Sequence, residues 1–118
     1  MIVAFSHLRY CGGMKTDDPV LAKFRNAVAE VYGARVERLV LYGSRARGDA
    51  SADSDYDIAV FLRDLSSHWQ EFRALADIEI DVLDDTGAVI HAMPHPAGSW
   101  RDPRSPLMFE IRKDGLDL

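Results

Sequence analysis

Residues 39–62, LVLYGSRARGDASADSDYDIAVFL, hold two apolar runs joined by a Gly-Ser corner and a polar loop, and the second run opens on two aspartates one residue apart. Val40, Leu41 and Tyr42 read as the end of a buried strand, and Gly43, having no Cβ, lets the backbone turn sharply. Ser44 is placed to cap a short helix. A strand that ends in Gly-Ser and feeds a helix turns unpaired backbone N–H groups and a partial positive charge outward, which suits a phosphate. Arg45 and Arg47 add charge at the same corner.

Asp55 and Asp57 precede Ile58-Ala59-Val60-Phe61-Leu62, a strand with acids at its mouth. Alternation puts the two carboxylates on one face with Cα atoms roughly 6.5 Å apart. Acids so spaced can converge on a shared cation. Oxygen donors of this kind suit Mg²⁺, which completes its shell with water and substrate phosphates, so the spacing predicts a metal-bound nucleoside triphosphate as ligand.

Gly43-Ser44, a gap of ten residues, and Asp55-Tyr56-Asp57 resemble the signature of the polymerase-beta-like nucleotidyltransferases. Gly43-Ser-Arg-Ala-Arg-Gly48 followed by Ser54-Asp-Tyr-Asp57 is similar to their smallest branch, the minimal nucleotidyltransferases of antitoxin type. The resemblance covers roughly residues 18–116. It implies that Gly43, Ser44, Arg45 and Arg47 hold ATP, that Asp55 and Asp57 hold Mg²⁺, and that a third acid on a neighbouring strand shares a second Mg²⁺. The family sets that acid between apolar residues, as Asp81 stands between Ile80 and Val82; Glu79 is its rival.

The chain of 118 residues has room for one domain, here residues 14–118, with one modest core. Residues 1–13 end in Gly12-Gly13 before Met14 and read as a disordered leader or a misassigned start. No apolar run approaches the length of a membrane span, no basic leader precedes Met1–Phe5, and the single Cys11 fits a cytoplasmic setting. A net charge of −5 argues against long nucleic acid as substrate.

Asp18-Pro19 reads as N-cap and first turn of a helix over Pro19–Tyr32, with Leu21, Phe24, Val28 and Val31 as its apolar stripe and Gly33 as its stop. A strand follows over Val36–Tyr42, and Gly48–Ser54 reads as a surface loop in which Asp49 and Asp53 serve local backbone groups. Ser67 and Gln70 are spaced as a capping box for a helix that buries Trp69, Phe72 and Ala76. Asp77–Asp84 alternates like a half-buried strand, with Glu79, Asp81 and Leu83 on one side. Ala88–Met93 reads as a short helix and the proline-rich 94–106 as loop, which breaks up any zinc pair from His91 and His95. Ser105-Pro106 opens a last helix through Lys113, closed by Gly115 and buried through Leu107, Met108 and Ile111.

The expected architecture is α/β: a small mixed sheet with helices mainly on one face, its first two strands side by side so that the Gly-Ser corner faces Asp55 and Asp57. The implied reaction is nucleotidyl transfer to a hydroxyl. Because the chain stops just after the core, the acceptor surface is expected from a partner, which the resemblance implies is a HEPN-domain ribonuclease toxin modified by AMP on tyrosine. Two other classes stay open: a small-molecule transferase acting on an aminoglycoside, with a homo-oligomer mate completing the pocket, and a non-catalytic toxin-binding module.

Overall fold

The Asp18 side chain accepts a hydrogen bond from the Val20 N–H (2.8 Å), and Pro19 supplies a fixed φ in the first turn, so helix α1 spans Pro19–Tyr32. The computed structural model describes residues 18–118, and the expected leader over 1–13 lies outside them. Leu21, Phe24, Val28 and Tyr32 are the buried stripe. Val31, expected in that stripe, is exposed, because Tyr32 at i+4 from Val28 takes the inward position.

A 3₁₀ turn over Gly33–Arg35 leads into β1 (Val36–Tyr42), a short helix α2 (Ser44–Arg47) and β2 (Tyr56–Leu62). β1 and β2 pair antiparallel in a register that sets Tyr42 opposite Asp57. Helix α3 (His68–Thr86), strand β3 (Ile90–Pro96), helix α4 (Pro106–Asp114) and the two-residue β4 (Leu116–Asp117) complete the chain. The sheet has the order β3-β2-β1-β4, with β3 parallel to β2 and β4 antiparallel to β1.

The two faces of the sheet are covered unequally, as the α/β reading expects. Leu39 and Leu41 of β1 and Ile58 and Val60 of β2 pack with Phe24 and Val28 of α1 and Leu75 and Val82 of α3. On the opposite face Val40, Ala59 and Phe61 form a smaller cluster with Met108 and Ile111 of α4, with Tyr42, Trp100 and Leu107 at its margin. Asp57 shares the parity of Ala59 and Phe61 and so lies on this lightly covered face. Helix α4 is capped by the Ser105 hydroxyl, which accepts from Met108 N–H, as the Ser-Pro pair predicts.

Three expectations fail in the second half. The strand over Asp77–Asp84 is helix: α3 runs unbroken for 19 residues from its Ser67 cap to Gly87, whose N–H bonds the Leu83 carbonyl. Nothing in 68–86 supplies the Gly or Pro that would end a helix, and Leu75, Ile78 and Val82 form its inward stripe. Trp69 is 66% exposed rather than core, stacked on Phe72, and Ile80 and Leu83 continue this outward stripe. The helix expected over Ala88–Met93 and the loop after it contain β3, in spite of Pro94 and Pro96. β3 is an edge strand: the outward Ala92 N–H is met by Glu79 Oε2 at 2.8 Å, and both prolines share the parity of Ala92, where no sheet partner needs an N–H. Among the described residues no helix is long and apolar enough to cross a membrane.

Tyr56, at the mouth of β2, donates its hydroxyl to Asp18 Oδ2 at 2.7 Å. Burial, then this hydrogen bond and the Asp18 charge, push its pKa up from 10.0 to about 12. The folded state therefore holds the phenolic proton more tightly than the unfolded chain does; the stabilisation is fully present below about pH 10 and is lost as pH rises toward 12. Tyr56→Phe should start less stable at neutral pH but lose less stability across pH 10–12, as read by urea midpoints in a pH series.

Candidate active site

The corner is built by Gly43. Its φ of 78° and ψ of −157° fall in a region open essentially to glycine alone. A Cβ built there would lie 2.6 Å from Asp57 Oδ2, so the glycine is also what lets the carboxylate lie against the turn. Gly43 is itself the N-cap of α2, its carbonyl accepting from Ala46 and Arg47 N–H at 3.1 Å, and Ser44 is the first helical residue rather than the expected cap. The turn still presents the first-turn N–H groups that a helix leaves without intrahelical acceptors. The antiparallel register brings these groups and Asp57 to the same end of the sheet.

Asp55 lies one residue before β2, exposed, and accepts from His91 Nε2 at 2.9 Å. Asp57 is half-buried. Burial first, with the charges of Asp55 and Glu110, holds its carboxyl above the usual carboxylate range, while His91 and Arg47 pull the other way. The donor chemistry fits a hard divalent cation: two carboxylates share one face, and burial and mutual repulsion of their charges favour a cation between them. No three His, Cys, Asp or Glu side chains among the described residues are already gathered into a metal cage.

The two arginines part company. Arg47 is exposed beside Asp49 (3.3 Å) and acts electrostatically on Asp57, so it stays at the mouth of the corner. Arg45 turns away from it. Its Nε donates to Ser54 carbonyl at 2.9 Å, Nη2 reaches the Ala52 carbonyl at 3.2 Å, and its guanidinium lies 4.0 Å over the Tyr56 ring. Arg45 thus ties down the loop that leads to Asp55 and lies over Tyr56.

The third acid is not where the sequence reading put it. Asp81 lies on α3, exposed in the cleft between α1 and α3 with Lys23, Asn26 and Glu30, on the covered side of the sheet. The helix that replaces the expected strand carries it away from Asp55 and Asp57. Glu79 is closer but engaged: it is half-buried and accepts from Ala92 N–H, fastening α3 to β3. What stands on the next strand beside Asp57 is His91, its Cα partner across β2 and β3. The sequence signal was present in Ile90-His91-Ala92, a polar residue between two buried apolar ones, but the prolines beyond it hid the strand. Glu110 of α4, which raises Asp57 through its charge, was missed as well.

Gly43→Ala tests the corner. The strained φ should cost about 1–3 kcal/mol of stability in denaturant unfolding, and calorimetry should show weakened binding of a non-hydrolysable ATP analogue because the carboxylate is displaced. Unchanged stability and affinity would show that the turn relaxes without cost.

The nucleotidyltransferase domain family matches residues 21–106. A Methanocaldococcus jannaschii protein whose name marks it as a candidate protein adenylyltransferase is 31% identical over 77 residues, covering 65% of this chain and 71% of its own length. Among solved structures, a candidate nucleotidyltransferase from Sulfolobus solfataricus is similar with a TM-score of 0.58 at 18% identity, over 83% of this chain and 75% of its own. A toxin-antitoxin structure with AMP-PNP is similar with a TM-score of 0.58 at 16% identity, over 81% and 69%. At these identities the structural likeness is one of fold. The family match, however, takes in the Gly43-Ser44 turn, both aspartates and the whole of β3, and on that ground the chain belongs to the nucleotidyltransferase domain family and is a nucleotidyltransferase.

Proposed function

We propose that this enzyme transfers AMP from ATP to a hydroxyl of a protein partner, a tyrosine of a HEPN-domain toxin for which it serves as antitoxin, in the cytoplasm. The observation that supports the reading most is the approach of the Asp57 carboxylate to the Gly43 turn and its first-turn N–H groups. A protein acceptor is supported by the Methanocaldococcus jannaschii relative named for protein adenylylation. A toxin as that acceptor is supported by the toxin-antitoxin neighbour with its ATP analogue.

In this reading the N–H groups of the Gly43-Ser44 turn bind the triphosphate, and Arg47 adds positive charge from the exposed side. Asp55 and Asp57 would hold Mg²⁺. Bound there, the metal supplies charge neutralisation on the phosphates and a lower pKa for the acceptor hydroxyl. The acceptor oxygen forms a bond to the α-phosphorus, the bond to the bridging oxygen of pyrophosphate breaks, and the hydroxyl proton is released. The chain forms no covalent bond to the substrate, so rate comes from positioning and electrostatics. Tyr56 and Arg45 hold the strand mouth and loop, keeping the two acids fixed relative to the turn.

Intact-mass spectrometry of a co-expressed HEPN-domain partner tests this. The partner should gain one or more AMP residues with the wild-type chain and none with Asp57→Asn, while the complex still forms. A partner neutralised without modification by both proteins would point to a binding module. Modification of an aminoglycoside with no partner present would point to a small-molecule transferase.

A further inference from the structure

The strand beside the two acids carries a nitrogen donor at their level. His91 is the Cα partner of Asp57 in the parallel β2–β3 ladder, so their side chains leave the same face of the sheet. Its neighbours Ile90 and Ala92 are 3% and 2% exposed, whereas its own side chain is 60% exposed toward the acids. The strand thus offers one polar group at this level, and it is an imidazole.

The imidazole is already aimed. Its Nε2–H donates to Asp55 Oδ2 at 2.9 Å. Two neighbouring ligands on an octahedral ion with bonds of about 2.1 Å are separated by about 3 Å. With the ring proton moved to Nδ1, Nε2 of His91 and Asp55 can both turn to one cation with little movement of either side chain. The alternatives are placed worse: Asp81 lies on the covered side of the sheet, Glu79 is bonded to Ala92 N–H, and Glu110 approaches from α4 rather than from the ladder.

We propose that His91 is the third metal-binding residue of this site and that the resulting donor set of two carboxylates and one imidazole favours Mn²⁺ over Mg²⁺. The reason is chemical. Mg²⁺ is a hard ion that takes oxygen and holds its water, whereas imidazole suits first-row transition ions, which bind nitrogen more tightly. Exchanging a carboxylate for a neutral ring also removes one negative charge, which weakens a purely electrostatic Mg²⁺ site more than one with a nitrogen bond. This inference rests on the metal-dependent reading above and narrows it to one ion class and one residue.

The test uses the full chain labelled with ¹⁵N-histidine, Mn²⁺ and α,β-methylene ATP. Pulsed EPR should show ¹⁵N coupled to the bound Mn²⁺, and the coupling should vanish in His91→Asp and His91→Gln. Calorimetry should show the nucleotide binding more tightly with Mn²⁺ than with Mg²⁺ in the wild type. The ratio should shrink about tenfold in His91→Asp, which restores an all-oxygen set. Both substitutions are at an exposed side chain, and matching thermal melts confirm that they fold. Bound Mn²⁺ without histidine coupling, or a metal ratio that follows Glu110→Gln instead of His91→Asp, overturns the role of His91 and leaves the metal-dependent reading standing. No bound Mn²⁺ at all in the wild type with nucleotide overturns both.

Discussion

The contact on which the site depends is the approach of the Asp57 carboxylate to the Gly43 backbone, 2.6 Å from where a Cβ would stand. It follows from the antiparallel register that sets Tyr42 opposite Asp57, and that register is held by the packing of alternate residues of β1 and β2 into two different cores. A slip by one residue would turn Asp57 into the larger core and Ile58 out of it. Burial of Leu39, Leu41, Ile58 and Val60 therefore does more than stabilise the sheet: it fixes which face carries the acids.

That half of the molecule was legible because its determinants are local. The Asp18-Pro19 start, the Gly43 corner, the acids at i and i+2 and the Ser105-Pro106 start each encode their geometry within a few residues, and the structure contains all of them. α3 was misread for a definable reason. It carries two apolar stripes, an inward one of Leu75, Ile78 and Val82 and an outward one of Trp69, Phe72, Ile80 and Leu83. Where they interleave, Ile78, Ile80 and Val82 reproduce the period of a strand, and only the absence of a breaker tells the two apart. β3 was hidden by its prolines, whose tolerance at a sheet edge is a fact of topology and not of local sequence. Together these two explain the placement of Asp81 and His91: a strand at 77–84 would put Asp81 on the sheet, whereas the structure puts Asp81 on α3 and His91 on β3.

The contacts of Arg45 join the loop after the Gly43 turn to the mouth of β2. Its guanidinium stacks on Tyr56, and its Nε and Nη2 donate to the carbonyls of Ser54 and Ala52, while Tyr56 in turn reaches Asp18 at the start of α1. The loop from Gly48 to Ser54 has small polar side chains and little to bury, so these bonds are what limits its freedom. Through them the N-terminus of α1, Tyr56 at the mouth of β2 and the loop residue before Asp55 are joined by hydrogen bonds and one cation–π contact.

The electrostatics of the open face give the imidazole a structural rationale as well. Asp57 is half-buried and already resisted by burial and by the charges of Asp55 and Glu110. A further carboxylate on the adjacent strand, directly beside Asp57 in the ladder, would add a third like charge at close range in the metal-free protein. His91 places an imidazole at that position and, by donating to Asp55, ties down one of the two acids rather than repelling it. A ring nitrogen in place of an anionic oxygen therefore lowers the cost of folding around the pair of acids, and its hydrogen bond to Asp55 adds to that effect.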